Sequence, residues 1–240
     1  GETLIKPNLV KESGGTIKLY PEWTANTYTI TFNVNGGSMT TKTMNVVFDK
    51  TYDLSSMRPT KNGHVFQEWV MADGSVASST GYWHIAENVT LTAKWLMTEA
   101  TLTLRQGYQA ANKKDKDCLV TDSDKVYQEV DLGFDREALK KAGYTKVKIY
   151  ISLNLYGENK GYREAWIRPY YDKTATHMDH YEASTDDNQW EWWQNTFIDL
   201  NIDNGGFSDT LKFYIEFGAN GDLGDDWYLG DTTIKVTVIK

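Results

Sequence analysis

The chain has little cysteine, little proline and no long apolar run, and each shortage narrows what it can be. Cys118 is the sole cysteine among 240 residues, so no internal disulfide can form, and the thiol reads as buried or idle rather than catalytic. No CxxC or HExxH pattern accompanies it, and His177 with His180 forms a two-residue pair without a third metal ligand, so a surface loop is expected there. No apolar stretch reaches the roughly 18 residues that a membrane helix needs. No leader begins the chain, which reads as a piece of a longer protein. A basic surface is missing as well. The net charge is −8, and all of it falls after residue 96, because residues 1–96 carry eight basic and eight acidic side chains. An acidic surface repels phosphate backbones, so nucleic acid is not an expected partner. No basic amphipathic segment points to membrane insertion.

Aromatic residues are abundant, with 9 Trp and 15 Tyr, and threonine is plentiful. Both favour strands over helices. A repeat lies in the first 96 residues. The run Gly15–Trp23 and the run Asn88–Trp95 each alternate and end on Trp, about 70 residues apart. Between them, Tyr28–Asn35 alternates as a strand, and Asn35-Gly36-Gly37 signals a tight turn because glycine accepts positive φ. Thr43–Tyr52 alternates again, Arg58–Trp69 leads through a loop into a strand, and Thr90–Trp95 closes the unit.

These residues resemble the Listeria–Bacteroides repeat, also called the internalin B-type repeat. The match is carried by Phe32, Asn35, Gly36, Gly37, Pro59, Gly63, Phe66, Trp69, Leu91, Ala93 and Trp95. The chain departs at Glu68, where such repeats usually have glycine, which puts a tight turn there in question. The resemblance implies a small β-grasp-like unit of secreted or wall-bound bacterial proteins, occurring in tandem as spacers or adhesive stalks. It brings no catalytic residues. Phe32, Phe66, Trp69 and Trp95 are expected to form the core, since so small a unit needs large side chains. The expected division is therefore 1–23 as the tail of a preceding repeat, 24–96 as a full repeat and 97–240 as a second domain, joined by a short and hence fixed link near Leu96–Ala100.

The second domain is expected to be an antiparallel β-sandwich, jelly-roll-like, with one short helix, so the fold class is mainly β. Val147, Ile149, Ile151, Leu153 and Leu155 alternate with Lys148, Tyr150, Ser152, Asn154 and Tyr156. Ile198–Ile202, Leu211–Phe217 and Ile234–Val238 repeat that pattern, which marks sheets covered on one face. Asp135 can cap a helix that carries Ala138, Leu139 and Ala142 and ends at Gly143.

The outward positions suggest binding. A flat ring can stack on a pyranose while amides, carboxylates and guanidinium groups bond its hydroxyls. Broad similarity to sandwich-type carbohydrate-binding modules points the same way. The glycan candidates are Trp190, Trp192, Trp193, Tyr150, Trp166, Tyr170 and Tyr214, the three tryptophans lying in a polar segment where a strand would put Trp190 and Trp192 on one face and Trp193 on the other. No cofactor is required, though Asp222, Asp225, Asp226 and Asp231 crowd a glycine-rich stretch and are candidate ligands for structural calcium. Asp199-x-Asn201-x-Asp203 starts like a calcium loop but lacks the glycine and the final glutamate. No nucleophile motif or phosphate loop is present. Glu158, Glu164, Glu182 and Glu191 offer only the carboxylates that any acidic chain offers a glycosidase reading. The expected function is a non-catalytic module of an extracellular or cell-wall-associated bacterial protein, with a polysaccharide as partner. The alternative is a structural or adhesin stalk that binds a host or cell-surface protein or nothing.

Overall fold

The structure is a computed structural model. It describes residues 14, 16, 18, 20–104, 125–157, 163–171, 181–185, 190–220 and 227–240, with side chains over 14, 16, 18, 20–103, 129–152, 171, 199–215 and 231–240.

The repeat folds as a mixed four-stranded sheet. Its strands are β1 (Thr27–Asn33), β2 (Thr43–Val47), β4 (His64–Val70) and β6 (Val89–Met97), in the order β2-β1-β6-β4. A small ribbon of β3 (Thr51–Asp53) and β5 (Thr80–Tyr82) completes it. The central pair β1–β6 is parallel and the outer pairs are antiparallel. The predicted turn forms. Asn35 and Gly36 both have positive φ, 46° and 80°, and Gly37 N–H donates to Val34 O at 2.9 Å, which is the twist a type I′ turn supplies. Thr43–Tyr52 is not one strand as the alternation implies. Asp49, with φ 57°, turns the chain between β2 and β3.

Phe32 and Trp69 are buried as predicted, alongside Ile30, Val46, Leu54, Trp83 and Leu91. Each such side chain contributes about 1.5–3 kcal/mol by leaving water. Phe66 and Trp95 are only partly buried and pack on the edge of this core. Trp95 Nε1–H donates to Val34 O at 3.1 Å, and a Cβ at Gly37 would collide with the Trp95 ring and with Thr60 O. The glycine therefore admits the indole. Glu68 makes no turn. It lies within β4, where a bulge between Phe66 and Glu68 absorbs one extra residue, and its carboxylate meets Lys94 Nζ at 2.8 Å.

The remaining strands make two antiparallel four-stranded sheets. They are β7 (Glu99–Leu104), β8 (Lys125–Val130), β9 (Lys146–Gly157), β10 (Arg163–Tyr170), β11 (Tyr181–Thr185), β12 (Trp190–Asn201), β13 (Phe213–Asn220) and β14 (Trp227–Ile239). One sheet has the order β12-β9-β14-β7 and the other β11-β10-β13-β8. First pairs with last, second with seventh, third with sixth and fourth with fifth, the folded-over pairing of a jelly roll. Val147, Ile149, Ile151, Ile234, Val236 and Val238 of one sheet face Val130, Phe213 and Ile215 of the other in a single core. Leu211 is buried but precedes its strand. Its φ of 56° places it in a turn, and β13 starts at Phe213.

Among the described residues one helix forms, α1 (Arg136–Lys141), and it packs on the sandwich core. Asp135 caps it by accepting from Ala138 N–H at 2.8 Å, and Leu139 is fully buried in the core. Arg136 is a tie the sequence did not announce. Its Nε, Nη1 and Nη2 donate to the carbonyls of Ile202, Phe207 and Asn204 at 2.9, 2.8 and 3.0 Å.

The two cores meet along one continuous stretch of chain. β6 sends Leu91 and Ala93 into the repeat core and Leu96 into the sandwich core. Thr98 separates β6 from β7, and its backbone is held on both sides. Its N–H donates to Gly63 O at 2.8 Å, and its carbonyl accepts from Val238 N–H at 2.9 Å. Glu99 N–H also donates to Gly63 O, at 3.0 Å.

Candidate functional site

The glycan candidates do not gather on one face. Tyr150 is half-buried on β9, at a position alternating with the buried Ile149 and Ile151, and is in register with Phe197 and Lys235. In the same sheet, register sets Trp192 opposite Asn154 and Trp190 opposite Tyr156, in line with Tyr150 along β9. Trp193 pairs with Leu153 in the alternate row. Tyr214 belongs to the other sheet, in register with Tyr170 on one side and Glu129 on the other. Trp166 lies further along β10, opposite Gly218 and Glu182. Since the sheets pack core to core, Tyr150 and Tyr214 lie on opposite outer surfaces and do not share one platform. The side chains of Trp190, Trp192, Trp193, Trp166 and Tyr170 lie outside the described residues. The Tyr214 hydroxyl donates to Glu129 Oε2 at 2.8 Å, and Lys212 Nζ lies 5.8 Å from the centre of its ring.

Among the described residues no three His, Cys, Asp or Glu side chains cluster in a way that could hold a metal ion. Asp231 is exposed; Asp222, Asp225 and Asp226, like Cys118, His177 and His180, lie outside the described residues. The calcium-like spacing at Asp199–Asp203 is structural. Asp199 faces Lys146 at 3.4 Å, Asp203 faces Lys140 at 2.9 Å, and Asn201 Oδ1 accepts from Asp203 N–H at 2.8 Å. The hydrogen bonds from Lys140 to Asp203 and Glu137 raise the lysine above its ordinary pKa.

Two surface features escaped the sequence reading. The first is an exposed aromatic row on the repeat. Tyr82, 62% exposed, stacks on His84 at 6.2 Å and 18°, and His84 meets Phe48 edge-on at 6.2 Å. The second is a groove of about 940 Å³ between the repeat sheet and the helical end of the jelly roll. β4 and β6 line one side of it, where Val70 pairs with Thr92, Glu68 with Lys94 and Val65 with Leu96. Its far wall carries Ala138, Lys141, Tyr144 and Lys240. The lining comes from five separate stretches of sequence, so no local motif could have announced it.

Comparison with known proteins assigns the first part of the chain. The family model "Flg_new: Listeria-Bacteroides repeat domain" matches residues 28–94. That segment is a Listeria–Bacteroides repeat. The matched span runs from β1 almost to the end of β6, so the repeat and its mixed sheet coincide. Repeats of this family are found in bacterial surface proteins. No curated protein matches the chain. Among solved structures, the chain is similar to that of the infectious bursal disease virus Gx strain, at 9% identity and a TM-score of 0.27, over 91% of this chain and 74% of the other. It is also similar to the Gt strain structure, at 9% identity and a TM-score of 0.28, over 92% and 53%. Likeness at that level carries no argument about fold or function. No helix among the described residues is long and apolar enough to cross a membrane.

Proposed function

We propose that the chain is a non-catalytic module of a bacterial cell-surface or secreted protein, in which the repeat is a spacer and the jelly roll binds a glycan. The observation that carries the glycan reading is the β12–β9 register. It sets the backbone positions of Trp190, Trp192, Asn154 and Tyr156 in the row of Tyr150 and Ser152, which alternates with the buried Ile149 and Ile151. Rings alternating with amide and hydroxyl groups along a sheet suit a sugar chain, which stacks its apolar faces and bonds its hydroxyls. The opposite sheet, with Tyr214, Tyr170 and Trp166, is then not part of the same site.

Affinity electrophoresis of the whole chain against a panel of neutral polysaccharides tests this. Retardation by one of them, abolished by Trp192→Ala in a protein that melts as the parent does, supports the reading. Binding unaffected by that substitution removes the β12–β9 face as the platform.

A stalk reading has its own support in the joint at Thr98. Its backbone is bonded to Gly63 on the repeat and to Val238 on the jelly roll, which suits a spacer that transmits position rather than swinging freely. If no glycan binds, this reading stands, with a host or cell-surface protein as the partner to seek.

A further inference from the structure

We infer that the groove between the repeat sheet and the jelly-roll helix is a second, separate binding site, for a linear polysaccharide that bears carboxylates on its rings. Charge is the first argument. The chain carries a net −8, yet this groove is lined by Lys61, Lys94, Lys141 and Lys240 against only Glu68 and Asp135. Both acids are engaged, Glu68 by Lys94 at 2.8 Å and Asp135 by the helix N–H of Ala138 at 2.8 Å. The local excess is thus cationic in an acidic protein, and low-dielectric walls concentrate such a field.

The second argument is the pairing of cation with ring. Lys61 Nζ lies 5.8 Å from the centre of the Trp95 ring, and Lys240 Nζ lies 5.2 Å from that of Tyr144. An ammonium beside an aromatic face suits a ligand whose anion sits on the stacking ring itself, as in a uronic acid. A glycerol-phosphate chain has the charge but no ring to stack.

The third argument is the rest of the lining. It also offers Thr92 and the amide side chain of Gln67, which suit hydroxyls. Val65, 45% exposed beside them, adds apolar surface that solvent reaches. β4 is the edge strand of the repeat sheet, so its outer side is also open to an extended peptide, and the poly-L-glutamate arm of the test separates the two ligands.

The test uses the whole chain in affinity electrophoresis with polygalacturonate, neutral pullulan and poly-L-glutamate. The expected result is retardation by polygalacturonate that weakens with added salt, with no retardation by pullulan and little by poly-L-glutamate. Lys141→Gln combined with Lys240→Gln removes two exposed cations without touching either core, and weakens retardation about tenfold. Trp192→Ala leaves it unchanged, which separates this site from the sheet-face platform. Absence of retardation, or retardation indifferent to the lysine pair, overturns the inference. Equal binding of poly-L-glutamate overturns the sugar assignment and makes the groove an acidic-peptide site.

Discussion

Gly63 is the residue on which the joint between the two cores turns, and replacing it with alanine tests that directly. Its φ is 67°, and a Cβ there would sit 2.5 Å from Glu99 O, a backbone atom that cannot rotate aside. Its own carbonyl accepts from both Thr98 and Glu99. Gly74 is the matched control, because its φ is 84° but a Cβ would meet nothing within 4 Å. At Gly74 an alanine suffers only the left-handed backbone penalty, about 1–2 kcal/mol, reduced by about 0.4–1 kcal/mol because the unfolded chain also loses freedom. At Gly63 the same terms apply, and the overpacked contact adds about 1–3 kcal/mol. The two bonds to Gly63 O are strained at the same time, each worth about 1 kcal/mol.

Gly63→Ala is therefore expected to destabilise by about 1–3 kcal/mol more than Gly74→Ala. Urea unfolding followed by tryptophan fluorescence measures both variants. Small-angle scattering of folded Gly63→Ala should also show a broader distribution of interatomic distances than the parent, because the displaced carbonyl loosens the hold on Thr98. If the two variants unfold at the same urea concentration, Glu99 gives way without cost and the joint is softer than its bonding pattern implies.

Three other outcomes follow from single contacts. Arg136→Ala removes three bonds to the carbonyls of Ile202, Asn204 and Phe207; a loss of about 2–4 kcal/mol is expected in chemical denaturation, with Arg136→Lys recovering only part of it. Trp69 and Trp83 are both buried, but Trp69 Nε1–H donates to Met57 O at 2.8 Å whereas Trp83 Nε1 has no partner among the described residues. Trp69→Phe should therefore cost about 1 kcal/mol more than Trp83→Phe, since it alone loses a part-buried hydrogen bond to Met57 O; equal melting shifts would refute that. The exposed carboxyls of Asp53 and Asp73 are lowered below their ordinary value by hydrogen bonds from Ser55 and Ser75. Their contribution is present above the ordinary aspartate range and lost as pH falls through the lowered values, so replacing both by Asn should flatten the melting temperature against pH below about pH 4.

What the sequence disclosed is what depends on neighbours in the chain. Alternation located β9 and β14 because one face of each strand must be apolar to meet the core. The Asn35-Gly36 turn and the Asp135 cap were legible because each is decided by a few adjacent residues. The position of Trp83 was not, since Gly81-Tyr82-Trp83-His84 alternates weakly and its burial depends on where Tyr52 and Leu54 pack. Glu68 looked like a defect because a missing glycine suggests a missing turn. The bulge one residue earlier supplied the needed irregularity without positive φ.

The division of the glycan candidates follows from the same limit. Each strand was read correctly as having an outward face, and outwardness alone made Tyr150 and Tyr214 look equivalent. Which outward face they share is decided by strand order, and a jelly roll sends successive strands to alternate sheets. β8, β9 and β10 accordingly fall on opposite sides of the core in turn. Residues nearby in sequence are thus separated by the thickness of the sandwich, whereas Tyr150 and Phe197, 47 positions apart, stand side by side. The groove is the complementary case, since Lys61 and Lys94 of the repeat line it together with Lys141 of the helix, across a joint where Thr98 is bonded to both Gly63 and Val238. A binding site that depends on that joint should weaken when Gly63 is replaced, although Gly63 itself does not line the groove. Polygalacturonate retardation of Gly63→Ala, measured beside that of Gly74→Ala, would show whether the joint and the site are one device.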